Sequence, residues 1–274
     1  MSQAMNAKPC SGIYLAALCA AAGCTRGPTA TPPAERPPPL LCAPRLEPDS
    51  IHIDGRLDEP AWQRAGATGA FVGPADGKPS SASQANATAR LAWDESNLYV
   101  SMVVADRDAA SPFSRVQIDP HIWERASGIE VMLQPGNPGD NRDYYELQID
   151  VNGAIWDTHF DDYNAPIVQG PGGQRFGHQE WIARVQRAVV VDKATGRYSV
   201  EIAWPWSSLV RARTPVPPRP GDLWRINLYS FRDAQRDAMA WSPILGQGNF
   251  HRSSRWGRVR FAGAASDAPC TDAP

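Results

Sequence analysis

The chain has 274 residues, 42% hydrophobic and 20% charged, enough for one ordinary globular domain with attachments. Its formal net charge of -2, with arginines scattered among acids, gives no basic footprint and argues against nucleic acid as a partner. Its 10 tryptophans and 26 prolines suit a turn-rich β-protein with aromatic surfaces better than a helical bundle.

Residues 1–24 read as an export signal: Lys8 precedes the apolar segment "IYLAALCAAAG", which is too short to span a bilayer. The run Ala21-Ala22-Gly23-Cys24 resembles a bacterial lipoprotein cleavage box, with Ala21 where leucine is usual. A lipid on Cys24 and a place in the cell envelope, at the outer membrane or its periplasmic face, are therefore expected, with secretion as the alternative. Cys10 and Cys19 would leave with the signal, so Cys42 and Cys270 remain, bracketing the globular region and able to join its ends in an oxidising compartment. Residues 25–48, with "GPTATPPAERPPPLLCAPRLEP", read as an extended proline-rich spacer, and 264–274 as a disordered tail.

The stretch 49–263 reads as the folded domain. Its pattern is strands and turns, beginning with "IHIDG" as a strand, then one short helix around "LDEPAWQRA", where Trp62 belongs to the core. "ARLAWD" and "NLYVSMVVAD" form strands joined by "ESN". "GIEVMLQ", "YYELQIDVNG" and "AIWDTHF" follow, the last two separated by a turn at Asn152-Gly153. Then come "WIARVQRAVVVD", "RYSVEIAWPWSSL", "LWRINLYSFRD", "MAWSP" and "RWGRVRFAG". Many short strands with closely spaced turn signals predict an all-β fold, an antiparallel β-sandwich.

Along "YYELQIDVN", alternation puts Tyr145, Leu147, Ile149 and Val151 on one face and Tyr144, Glu146, Gln148, Asp150 and Asn152 on the other. "LWRINLYSF" similarly separates Trp224, Ile226 and Leu228 from Arg225, Asn227 and Tyr229, and Glu130 is out of phase with Ile129, Val131 and Leu133. One face is core and the other a polar ladder. Trp123 stands apart from both, between His121 and the charged pair Glu124 and Arg125, as expected of a loop rim.

Taken in order, "IDGRLDEPAW", "ARLAWDESNLYVSMVVAD", "GIEVMLQP", "DYYELQIDVNGAIWD", "RYSVEIAWPWSSL", "DLWRINLYSFRD", "WSP" and "FHRSSRWGRVRF" resemble a family 9 carbohydrate-binding module over about residues 50–262. The resemblance implies a β-sandwich that holds a sugar between two aromatic side chains, without catalysis and often beside a glycoside hydrolase, here a separate one. By that resemblance Trp123 stands at the first clamp aromatic, Glu130 at the acid that follows it, and Phe250 where the second aromatic is usually tryptophan. Aromatic rings take the C–H faces of a pyranose, and Glu130, Gln148, Tyr229 and Arg232 are the candidates for its hydroxyl rim.

Some members of the family carry structural calcium, for which Asp106 and Asp108, or Asp161 and Asp162, offer oxygen ligands without a complete loop signature. The histidines His52, His121, His159, His178 and His251 show no metal-ligand spacing, so zinc is not expected. No catalytic fingerprint is present, and Glu130, Glu146, Asp150 and Glu201 specify no one hydrolytic pair, so no enzymatic activity is expected. Two alternatives stand beside glycan binding. One is a scaffold domain of a surface complex; the other is a haem-binding electron-transfer sandwich using Met102, Met132 and His159.

Overall fold

Runs rich in Val, Ile, Tyr and Trp fold as strands, because branched and aromatic side chains pack well on a pleated surface. The computed structural model describes residues 36–171, 173–232, 234–246 and 250–264. In chain order the strands are β1 (Leu40–Arg45), β2 (Gly66–Ala67), β3 (Asn86–Trp93), β4 (Asn97–Ala105), β5 (Gly128–Gln134), β6 (Arg142–Asp150), β7 (Ile155–Asp162), β8 (Val168–Gly170), β9 (Gly173–Arg175), β10 (Gln186–Asp192), β11 (Arg197–Pro205), β12 (Leu223–Arg232), β13 (Asp237–Ala240) and β14 (Gly257–Ala264). Among the described residues two short α-helices interrupt them, where the sequence predicts one. The first, α1 (Pro60–Arg64), is the expected helix; the second, α2 (Ile122–Arg125), is a single turn that carries Trp123.

The strands follow the order β10-β11-β4-β3-β1-β14-β12-β5-β6-β7, with β13 added beside β12 and β2 beside β3, while β8 and β9 form a separate hairpin. Residues from distant parts of this path share one core: Val100 and Val104 of β4 and Val200 and Ile202 of β11 belong to the same apolar cluster as Leu147 and Ile149 of β6 and Ile226 and Leu228 of β12. The sheet therefore folds over on itself as a β-sandwich. Burial of each such side chain contributes roughly 1.5–3 kcal/mol. Trp224, fully buried, meets the edges of Trp206 and Phe261 at centroid distances of 5.7 and 5.0 Å.

Three expectations need correction. The spacer ends before Pro48, because "LLCAPR" is a strand wedged between β3 and β14 and parallel to both, with Leu41 and Ala43 in the core. A register shift between Ala43 and Arg45 accommodates Pro44, which has no N–H for the ladder. Second, β1 makes the sandwich mixed rather than wholly antiparallel. Third, "IHIDG" is a loop. The buried Glu201 on β11 holds it there, accepting from the Asp54 and Gly55 amides at 3.0 and 2.6 Å and from the Trp62 indole N–H at 2.7 Å. Trp62 is buried as expected, in a smaller cluster with Ile51, Ala92 and Tyr99.

Cys42, on β1, is disulfide-bonded. Cys270 lies outside the described residues, as do the signal segment 1–24 with Cys24 and the tail from 265 onward, so the Cys42 to Cys270 pairing remains an expectation.

A chain beginning at residue 49 would lose β1, uncover the facing edges of β3 and β14, and leave a gap where Leu41 packs. It should melt ~10 °C or more below a chain beginning at residue 36, or fail to fold. Equal melting temperatures for the two would show β1 to be dispensable.

Candidate functional site

The face of β12, β5, β6 and β7 turned away from the core is built in rungs. Tyr229, Glu130, Gln148 and Trp156 stand side by side across the four strands, and Asn227, Met132, Glu146 and Thr158 form the next rung. Directly paired residues share a face, so each rung projects to the same side. Above these rungs is a cavity of about 370 Å³. Trp123, Trp156, Phe160, Tyr163, Phe176 and Phe250 line it with aromatic surface, and Glu130, Glu146, Gln148 and Thr158 are also in its lining.

The hairpin between β6 and β7 decides which residues of β7 reach the cavity. A two-residue Asn152-Gly153 turn would pair Gln148 with Asp157. The loop is one residue longer, with Gly153 at φ 80°, so Ile149 pairs with Ile155 and Gln148 with Trp156. The Asp150 carboxylate fixes this form by accepting from the amides of Asn152 and Ala154 at 3.0 and 2.7 Å. Trp156, Thr158 and Phe160 thereby face the cavity.

The amide of Gln148 donates to Glu130 Oε2 and to Glu146 Oε1, both at 2.8 Å. Burial drives the Glu146 carboxyl up to about 8, against the hydrogen bond from Gln148, which opposes the rise. Burial likewise lifts Glu130 well above the usual carboxylate range, and the neighbouring Glu146 adds to the effect. His251 lies 3.6 Å from Glu146 through Nε2, with its Nδ1 2.5 Å from the Tyr144 hydroxyl and its ring stacked on Tyr163 at 4.1 Å. Burial holds His251 down to about 3, so it offers these acids no full positive charge at neutral pH.

Five polar atoms of cavity-lining residues are buried without a hydrogen-bond partner among the described residues: Glu130 Oε1, Glu146 Oε2, Gln148 Oε1, Trp156 Nε1 and Thr158 Oγ1. A buried polar group left unpaired costs about 1–3 kcal/mol, so their concentration in one cavity calls for a ligand or solvent that can both donate and accept. Gly177 closes one side. A Cβ there would come within 2.5 Å of Thr158 Oγ1, so the wall can approach Thr158 only as glycine.

Of the six residues expected at the site, four line the cavity: Trp123, Glu130, Gln148 and Phe250. Tyr229 lies beneath it. It is fully buried, stacked flat on Phe250 at 4.0 Å, and donates its hydroxyl to the Phe250 carbonyl at 3.1 Å, so it supports the aromatic platform. Arg232 is elsewhere, because its even position on β12 points it away from the face that carries Asn227 and Tyr229. It pairs with Asp106 at 3.2 Å and donates to Gln84. Trp123 is half-buried, with one face stacked on His121 at 4.6 Å and the edge of Trp156 against it at 4.7 Å.

Asp106, a calcium candidate, is already engaged: Arg232 neutralises it, and it accepts from Ser127 Oγ and the Asp108 amide at 2.7 and 3.1 Å. The carboxylates of Asp161 and Asp162 pair with His178 and Arg142 respectively. Met102, Met132 and His159 are not brought together as haem ligands. Met102 packs in the main core, Met132 in the cluster with Tyr144 and Tyr229, and His159 is on the face of β7 opposite Thr158 and Phe160. Sequence reasoning had placed Glu146 on the polar ladder but not in the site, and had not singled out Trp156, Phe160, Tyr163, Phe176 or His251.

The family model described as "Carbohydrate family 9 binding domain-like" matches residues 53–264. Among solved structures, a carbohydrate binding module family 9 from Caldicellulosiruptor kristjanssonii in complex with cellotriose has a similar fold, with a TM-score of 0.56 and 16% identity over 86% of this chain and 100% of that one. A family 9 module from the same organism in complex with glucose gives a TM-score of 0.55 and 17% identity over 84% of this chain and 98% of that one. No curated protein matches the chain.

The raised Glu146 carboxyl has a consequence for stability. From 4.5 to about 8, an unfolded chain ionises this group while the folded one keeps it protonated. Its contribution to stability is therefore full below 4.5 and is lost as the pH rises towards 8. Glu146→Gln keeps the acceptor for Gln148 and removes the titration. This variant should melt near the wild-type temperature at about pH 4 and above it by a margin that widens up to pH 8. A margin independent of pH would place Glu146 back in the ordinary range.

Proposed function

Because this chain belongs to the carbohydrate family 9 binding domain-like family, we propose that its aromatic cavity binds a sugar unit of a glycan without cleaving it. The five buried polar atoms without partners carry this reading, since they combine an acceptor on Gln148, donors on Trp156 and Thr158, and carboxyl oxygens of Glu130 and Glu146 that donate when protonated and accept when ionised. A pyranose matches that set: its hydroxyls both donate and accept, and its C–H faces lie well on indole and phenyl rings. Trp123 and Phe250 are the platforms, and Gln148 fixes the acids that meet the hydroxyls. The family 9 modules crystallised with cellotriose and with glucose make glucose-based ligands the first to test.

The same pair of acids supports binding without hydrolysis. A retaining or inverting glycosidase needs one carboxyl held protonated and its partner ionised. Here burial raises both, and one amide bridges them, which suits hydrogen bonding to a neutral ligand. At the cellular level, the chain is exported, carries a lipid on Cys24, and reaches polysaccharide through its proline-rich spacer, serving a separate glycoside hydrolase.

Calorimetric titration with glucose and cellotriose tests the binding reading. Trp123→Ala should weaken binding at least tenfold with little change in melting temperature, as expected for a half-exposed residue at a ligand site. Glu130→Gln replaces the buried carboxyl with an amide that has fewer ways to meet a hydroxyl, and loss of one hydrogen bond worth about 1 kcal/mol should weaken binding several-fold. Absence of glycan binding by the wild type, or unfolding of Trp123→Ala, would turn the reading towards a scaffold domain. For the anchor, metabolic labelling with a fatty acid should mark the wild type and not Cys24→Ser; labelling of both, or neither, rules it out.

A further inference from the structure

His159 and His178 are 19 positions apart in the sequence, yet they form an isolated antiparallel bridge beyond the sheet's regular pairing. The His178 amide donates to the His159 carbonyl at 2.8 Å, and the His159 amide returns a longer contact at 3.5 Å. Residues paired in this way present their side chains to the same side, and the two imidazoles lie nearly parallel with centroids 5.7 Å apart. Asp161 follows His159 by two positions on β7 and so shares its face. Its Oδ2 is 2.7 Å from His178 Nε2, and its Oδ1 is 3.6 Å from His159 Nδ1.

We propose that His159, Asp161 and His178 form a binding site for a divalent transition-metal ion, zinc above all. One donor atom from each lies within 4.8 Å of the others, which no other trio of such residues achieves among the described residues. A tetrahedral zinc with ligands at about 2.0–2.1 Å spaces its donors about 3.3 Å apart, between the two separations measured to Asp161. Two imidazoles and one carboxylate suit zinc or a neighbouring transition metal, whereas calcium prefers an all-oxygen shell. The outer support is also in place. His178 Nδ1 lies 2.9 Å from Glu180, an arrangement that directs Nε2 towards the metal.

Solvent reaches the site from the side of Asp161 and His178, while His159 is buried. Two contacts compete with a metal: the 2.7 Å hydrogen bond between His178 Nε2 and Asp161 Oδ2, which gives up its proton on binding, and Arg211, its guanidinium 3.2 Å from Asp161 Oδ1 on a largely exposed side chain that can swing away. The site lies on the face of β7 opposite the cavity. His178 adjoins Phe176 and Gly177 in the cavity wall, so a metal here would tie that wall to β7.

Titration of the metal-stripped full chain with zinc chloride at neutral pH tests the proposal, read by calorimetry and by thermal melting. The wild type should bind one equivalent with micromolar or tighter affinity and melt at a higher temperature when loaded. His178→Ala and Asp161→Asn should each weaken binding by more than about tenfold, and metal-free melts of both variants show that they remain folded. Arg211→Ala touches no proposed ligand other than Asp161 and should tighten binding several-fold by removing the competing cation. No saturable binding, or binding unaffected by His178→Ala and Asp161→Asn, would overturn the site. Unchanged or weaker binding in Arg211→Ala would remove Asp161 from the ligand set and overturn it as drawn.

Discussion

The Gln148 side chain donates one hydrogen to Glu130 and the other to Glu146, holding two buried carboxyl groups together in the middle of a sheet. Desolvation makes such a pair costly. The arrangement persists because the opposite face of the same three strands is anchored in the main apolar core. Ile129 and Val131 on β5, Leu147 and Ile149 on β6, and Leu228 on β12 are all fully buried there. The core can carry the polar floor, and the floor gives the cavity its chemistry.

Around that floor, several segments serve as supports. Tyr229 occupies the same rung as Glu130 and lies beneath Phe250, so a residue that looked like a ligand contact is a foundation for one. Tyr144, Phe160 and Tyr163 surround His251, keeping it buried and without charge beside Glu146. The short helix α2 presents Trp123 at the rim and buries Ile122 beside Phe231 and Trp156. A rim aromatic held by its own helical turn loses little freedom when a ligand arrives, which favours binding.

The N-terminal part of the domain is secured by different means. Glu201 spends both carboxylate oxygens on the loop Ile51–Gly55 and on Trp62, and β1 fills the space between β3 and β14. These devices make the segment before the expected domain start part of the domain.

Local alternation determined much of this protein from the sequence alone: the strand content, the division of β6 and β12 into apolar and polar faces, and the membership of Glu130 and Gln148 in a polar ladder. Family resemblance added Trp123 and Phe250, which do line the cavity. Period two also carried enough information to set Arg232 apart from Tyr229, since an odd separation along a strand puts two side chains on opposite faces. Tertiary structure decided what alternation cannot reach. One extra residue in the hairpin after β6 put Trp156, Thr158 and Phe160 into the cavity, because a single-step slip exchanges the faces of a strand. A parallel pairing with distant partners turned "LLCAPR" from spacer into strand, and a bridge across 19 positions brought His159 and His178 together. Each of these depends on which strand lies beside which, and that is set by the packing of the whole chain.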